Sequence, residues 1–393
     1  MAEWTDRPYR SLARALTRRT VLYTEMVVAD DLLHKDHDGQ FLLLDASTQE
    51  SPLVLQLGGA EPETLMRATD VAVSSSHVNY EEINLNCGCP SAAATCCSQR
   101  YGASLMHDPH GVATCLRAMA RASPNAPVSV KCRLGTNERN GYKLLSDFIS
   151  IVSSGAGVRH FIIHSRECVL GGFTPKQNRT IPPLRPRWTH QLKQDFPDLH
   201  FTYNGGIKSL EMAGRHLLAP HNGIIAEYGS YAGLKEHESS GNEKADEFQW
   251  DDLPAVDGVM IGREAYQRPW LLREADVKIF GEDRNPGLTR RKILEDYIVL
   301  GEELMEKYSN IHGHRKKGTP GYSTRNLLKP VFGLFATERG GREWRRILDK
   351  EWVGGGKLGV REPSLRELLE VHELHLDHQA AMDAMPSELL DAE

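Results

Sequence analysis

The residues able to do chemistry gather around one cysteine. Asn84-Leu85-Asn86-Cys87-Gly88-Cys89-Pro90-Ser91 opens as a short apolar strand and closes as a turn. Gly88 and Pro90 fix the backbone on either side of Cys89, so its thiol belongs on a loop at the C-terminal end of a strand. An ordinary thiol, with a pKa of about 8.5, is mostly protonated at neutral pH and can donate a proton unaided. A lone cysteine is usually a small buried hydrophobe. The glycine and proline set this one apart, as does the amide that Asn86 offers to a planar polar ligand.

Three polar residues, Gln56, Lys131 and His164, each end an apolar run. A lysine in such a place is costly to bury without an anionic partner. His164 taken alone reads as a structural histidine, but beside the other two it reads as a ligand for phosphate or substrate. Two glycine turns follow the last two apolar runs, Asn204-Gly205-Gly206 and Gly262-Arg263. Their backbone N–H groups permit close approach, and Arg263 adds a charged fork. In α/β barrels the loops after the last two strands often hold phosphate. The two turns together point to a phosphorylated cofactor.

The elements that must position these residues alternate regularly. Strands are expected at Val21–Val27, Leu53–Leu57, Ile83–Cys87, Val128–Leu134, His160–His164, Phe201–Asn204 and Gly258–Ile261. Stretches of helical spacing lie between most of them, such as Gly111–Ala122 and Leu144–Ser153. That alternation predicts a parallel sheet. The expected fold is an α/β (β/α)8 TIM barrel over residues 1–285, of which seven strands are legible. A polar, acidic stretch at 227–254 reads as a solvated insertion. From 286 to 393 the spacing is purely helical, with helices expected at Thr289–Tyr308, Tyr322–Phe335 and Leu365–His378, and the end is acidic. Between Arg284 and Arg346 stand 14 Lys and Arg against 7 Asp and Glu. That local excess suits either a solvated helical face or a surface for a phosphate backbone.

Composition narrows the function classes. The chain has 393 residues, 40% hydrophobic and 25% charged, enough for one large domain and a smaller one. No apolar run reaches the roughly 18 residues a membrane span needs. A net charge of −6 argues against attraction of nucleic acid over the whole surface, so any such binding needs a local basic patch. Seven irregularly spaced cysteines do not make a disulfide framework, and neither Cys87/Cys89 nor Cys96/Cys97 has zinc-ligand spacing. A reducing compartment and no metal are expected. No signal peptide is visible, and a segment upstream of Met1 would decide between cytoplasm and an organelle.

The motifs WTDRPYR, LYTEM, QLGG, NLNCGCPS, VKCRLG, HSR, NGGI and DGVMIGREAY, together with Lys176-Gln177-Asn178-Arg179 before Ile181-Pro182-Pro183, resemble those of the tRNA-dihydrouridine synthases, in particular the A-type branch. The resemblance runs from residue 1 to about 270 in family order and recurs at Thr324-Arg325-Asn326 and Trp344-Arg345-Arg346. It departs before Met1, where the family's first strand, ending in Ala-Pro, has no counterpart, so the resemblance implies a barrel whose first strand is truncated; it departs again at Ala92–Gln99, where relatives place glycine. What it implies is an FMN enzyme that consumes NADPH and reduces a uridine of the tRNA D-loop, at position 20/20a, to 5,6-dihydrouridine. By residue match Met1, Gln56, Lys131, His164, Asn204, Gly205, Gly206, Gly262 and Arg263 hold the flavin. Lys131 then suits an anionic ring edge and Gln56 the pyrimidine part. Cys89 matches the proton donor, and Asn86, Lys176, Arg179 and Arg325 match positions that touch tRNA. The uridine must leave the tRNA elbow to be reached, and the basic helical domain would grip the backbone.

Other readings stay open from the residues alone. Another flavin barrel would keep the cofactor residues without needing Lys176, Arg179 or the basic region. A tRNA-binding protein without catalysis would keep only the latter. An aldolase-type barrel using Lys131 as a Schiff-base amine would leave Cys89 without a task.

Overall fold

The computed structural model describes residues 1, 4–75, 77–90, 101–218, 252–311, 322–355 and 365–366. Seven parallel strands lie in sequence order: β1 (Leu22–Val28), β2 (Leu53–Gly58), β3 (Glu82–Cys87), β4 (Val128–Arg133), β5 (His160–His164), β6 (His200–Asn204) and β7 (Gly258–Met260). All seven fall where the sequence places them, to within a residue or so at their ends. In β2, LVLQLG, every residue is buried. Parallel strands covered on both faces read this way. Each connection must cross over, and helices such as Pro62–Ser75, Pro109–Ala122 and Tyr142–Ala156 supply the crossings.

The chain divides into two compact units. The first comprises Met1–Asn86, Thr114–Val128 and Gly262–Glu393, so it holds β1, β2, most of β3 and the C-terminal helices. Its N-terminal helix, Arg7–Leu16, is capped by Asp6, whose carboxylate accepts from the Tyr9 N–H at 3.1 Å. The same helix buries Arg10, which donates to Glu50 at 2.6 Å and to the carbonyls of Thr5 and Asp45. Trp4 stacks on Tyr266 with ring centroids 4.6 Å apart. The WTDRPYR stretch thus does structural work here. The long helix Arg290–Ile311 packs through Tyr297, whose hydroxyl donates to the Leu327 carbonyl at 2.6 Å.

The helix expected over Tyr322–Phe335 is shorter. Thr324–Leu328 is α-helical and Lys329–Gly333 is a 3₁₀ turn. Pro330 is the cause, since it lacks an N–H and its ring crowds the preceding turn. A further helix, Gly341–Gly355, buries Trp344, whose indole N–H donates to the Val331 carbonyl at 3.1 Å. Of the helix expected at Leu365–His378 only the first two residues are described, and they are helical. The insertion at 227–254, but for its last three residues, and the loop 92–99 lie outside the described residues.

The second unit comprises Cys87–Ala113 and Ser129–Ile261. It holds nearly all of β4 and the whole of β5 to β7. Its register aligns the strand ends: Arg133 pairs with His164, His164 with Asn204, and Asn204 with Met260.

Candidate active site

In the second unit the backbone around Cys89 is locked from two directions. The Cys89 carbonyl accepts from the Ala103 N–H at 3.0 Å. Gly102 makes that approach possible: its φ is +82°, and a Cβ there would fall 2.5 Å from the Cys89 oxygen. On the other side Arg133 Nε donates to the Gly88 carbonyl at 3.0 Å. Cys89 itself is half-buried, whereas Cys87, Cys115, Cys132 and Cys168 are buried. Burial pushes the Cys132 thiol up to about 12 and that of Cys168 up to about 11, as expected for inert thiols.

Lys131 stands within electrostatic reach of Cys89. Burial pulls its ammonium down to about 8, and the neighbouring Arg133 adds to the shift while Cys132 and Cys89 oppose it. Lys131 is half-buried, and a partly desolvated cation beside another cation is poised for an anionic ligand. His164 and Asn204 lie on the neighbouring strands β5 and β6, directly opposite each other in register. Asn204 donates its side-chain amide to the Met260 carbonyl at 2.8 Å, which ties the end of β6 to β7. Immediately after it Gly205 and Gly206 adopt φ of +136° and +71°, and a Cβ on either would meet a Leu184 methyl at 2.9 Å. An ammonium, an imidazole and a glycine pair bent for close backbone approach form a donor set that fits an anionic, phosphorylated cofactor.

The Lys176–Arg179 turn belongs to the same unit. Asn178 is buried and clamps it, accepting from the Val169 N–H at 2.7 Å and donating to the Val169 carbonyl at 3.0 Å. Lys176 is exposed just ahead of the 3₁₀ turn Gln177–Arg179, and Arg179 is half-buried within it.

The first unit carries the remaining residues singled out from the sequence. Gln56 sits opposite Asn84 in register, donates to Asn84 Oδ1 at 2.9 Å and accepts from Asn86 Nδ2 at 2.8 Å. Its amide, expected to meet a ligand, is therefore already engaged on both its nitrogen and its oxygen. Met1 lies near Gly262, with its sulfur 3.8 Å from where a Cβ on that glycine would be. Arg263 is exposed at the start of the short helix Arg263–Gln267, and Arg325 is exposed on Thr324–Leu328. Sequence reasoning missed Gly102, Arg133, Asn178 and Asn84. Only the Tyr-Gly after the Cys89 loop and the buried-strand arginine of VKCR carried a signal that could have found the first two.

The family model described as dihydrouridine synthase matches residues 1–228 and 248–353. The chain belongs to the dihydrouridine synthase family. The family fold is the TIM barrel, an α/β class that agrees with the seven parallel strands. The break in the match, 229–247, falls inside the acidic stretch read as an insertion. Among curated proteins the chain is 38% identical over 370 residues to the tRNA-dihydrouridine(20/20a) synthase of Vibrio parahaemolyticus, covering 94% of this chain and 95% of that one. It is 38% identical over 351 residues to the protein of the same name from Pseudomonas putida, covering 89% and 87%. With that of Escherichia coli strain K12 it shares 37% over 371 residues, covering 93% and 89%. Among the described residues of this dihydrouridine synthase family member, no three His, Cys, Asp or Glu side chains are grouped to hold a metal ion. No described helix is long and apolar enough to cross a membrane.

Proposed function

We propose that the protein reduces a D-loop uridine of tRNA, at position 20/20a, to 5,6-dihydrouridine. The names of the relatives support the reaction and the position. The observation that carries the chemistry is the setting of Cys89: a half-buried thiol on a doubly locked loop, within electrostatic reach of the half-buried cation Lys131. Reducing uracil puts negative charge on carbon 5 and the ring carbonyl, and carbon 5 must then take a proton. Cys89 donates it. FMN, when bound, would supply the hydride for carbon 6, with NADPH as its reductant.

Lys131 would offer its charge to an anionic ring edge of the flavin. His164 and the backbone of Gly205 and Gly206 would hold its phosphate, and Asn204 ties the end of β6 to β7 beside that turn. Met1, Gln56, Gly262 and Arg263 are assigned to the same cofactor by their motif positions. Asn86, Lys176, Arg179 and Arg325 are assigned to tRNA on the same ground. Residues 1–285 form the catalytic part and 286–393 the part that grips the phosphate backbone, so affinity should fall steeply with salt.

The test is an in vitro transcript of a tRNA with an unmodified D-loop, incubated with the FMN-loaded protein and NADPH. Nucleoside mass spectrometry should find dihydrouridine, and primer extension should place it at 20 or 20a. Reduction of orotate or an enone but not of tRNA would overturn the reading in favour of another flavin barrel. Protein that stays colourless after FMN is added would leave only RNA binding.

A further inference from the structure

One guanidinium ties the loop of Cys89 to the turn of Lys176 and Arg179. Arg133 ends β4 and is only 2% exposed. Its Nε donates to the Gly88 carbonyl at 3.0 Å, and its Nη1 donates to the carbonyls of Glu167 at 3.0 Å and Asn178 at 2.9 Å. These acceptors belong to three stretches: the loop after β3, the loop after β5 and the Gln177–Arg179 turn. Main-chain carbonyls mark where a loop runs, and a planar fork sets their mutual spacing rigidly.

Each of two loops also has a lock of its own. Cys89 is held by Ala103, and the turn by the Asn178–Val169 clamp. Neither lock relates one loop to the other; the Arg133 fork does. Gly88 fits this role, since a Cβ there would press to 3.4 Å of Arg133 Cγ. Burial lowers the Arg133 guanidinium from its ordinary range, Cys168 and Cys89 partly restore it, and Arg179 and Arg166 add to the lowering. Lys131 and Arg133 thus both stand within electrostatic reach of the Cys89 thiol, and Arg166 and Arg179 within that of Arg133.

We propose that Arg133 is a positioning residue, which fixes the spacing between Cys89 and the Lys176–Arg179 turn so that acid and RNA contacts engage one nucleotide. The inference rests on the function proposed above for what the spacing serves. Displacing a reacting group by roughly 1 Å can cost about a hundredfold in rate.

The experiment uses the full-length, FMN-loaded protein with Arg133→Lys, which keeps the charge and loses the fork, and with Asn178→Ala, which loosens the turn without touching the Cys89 loop. Alkylation of Cys89 by iodoacetamide is followed by fragment-ion mass spectrometry, alongside kcat and KM for tRNA and the melting temperature. Arg133→Lys should alkylate several-fold faster at Cys89 and lose about tenfold or more in kcat, with FMN retained. Asn178→Ala should raise KM and also speed alkylation at Cys89 by about twofold or more, because the fork transmits the loosening. Unchanged alkylation at Cys89 in Asn178→Ala would overturn the linkage even if Arg133→Lys failed to fold. A wild-type protein that makes no dihydrouridine would sink the proposed function, while the alkylation rates would still decide the role of Arg133.

Discussion

Asn86 donates its side-chain amide to Gln56 Oε1 at 2.8 Å, and Gln56 donates in turn to Asn84. A residue assigned to RNA and one assigned to flavin are thereby one hydrogen-bonded chain across β2 and β3. Gln56 and Asn84 are both buried. Gln56→Leu removes both bonds and should cost on the order of 1–3 kcal/mol for each polar group left behind. Urea denaturation reads the loss. Gln56→Glu should be tolerated worse than size alone suggests, because a carboxylate cannot donate to Asn84 Oδ1.

The two glycine turns should respond differently to alanine. Gly205 sits at φ +136°, where an L-residue is strained by about 1–3 kcal/mol. Gly262 sits at φ −100°, and a Cβ there would meet nothing nearer than the Met1 sulfur at 3.8 Å. Gly205→Ala should lower both the melting temperature and the FMN content. Gly262→Ala should leave the melting temperature within a degree or so of wild type and lower only FMN retention, as measured by absorbance after gel filtration.

The strands were legible because short, largely apolar runs recur regularly between stretches of helical spacing, and the polar residues Gln56, Lys131 and His164 stood out against those runs. What holds the candidate site was not legible. Arg133 acts on carbonyls, which every residue has, so no residue type announces its partners. Gly102 matters because Cys89 returns to it across a loop, which is a contact that spacing does not encode. Pro330 shows a limit of another kind: the apolar spacing of Tyr322–Phe335 is helical, yet one missing N–H turns its second half into a 3₁₀ turn.

Lys131 gives a pH test with a definite sign. Its ammonium titrates near 8 in the folded chain, chiefly through burial, against about 10.5 when unfolded. Between those values the unfolded chain binds more protons, so stability should rise with pH across that window. Below about 8 both states are protonated and the folded state carries the full penalty. Lys131→Met should be more stable than the FMN-free wild type at pH 7, with the difference shrinking as pH approaches 10. Denaturant midpoints at several pH values measure it. An anionic ligand beside Lys131 should narrow the gap at pH 7.

Asp45 joins the N-terminal helix to the C-terminal helices within the first unit. Its carboxylate accepts from Arg7 at 2.6 Å and from the Tyr322 hydroxyl at 3.1 Å, and it is 2% exposed at the side chain. Removing one partner of a buried ion pair costs on the order of 3–5 kcal/mol. Asp45→Ala should therefore lower the unfolding free energy by that order. Urea denaturation measures the loss, and the Cys89 alkylation rate should stay that of wild type.

Cys89→Ala separates the proton from the rest of the reaction. The side chain is half-buried, and its loop is held through the backbone by Ala103 and Arg133, so the variant should fold and keep yellow FMN. NADPH oxidation draws on no thiol and should continue. Dihydrouridine formation should fall by about 10²–10⁴-fold, the usual worth of a positioned general acid. Cys89→Ser should rescue little, because a hydroxyl is a far weaker acid than a thiol. Stopped-flow oxidation of the reduced flavin by tRNA, beside nucleoside analysis of the product, measures both halves. Product formed at the wild-type rate in Cys89→Ala would remove the thiol from the chemistry and turn the search for the proton source to Lys131, whose ammonium is within electrostatic reach of Cys89.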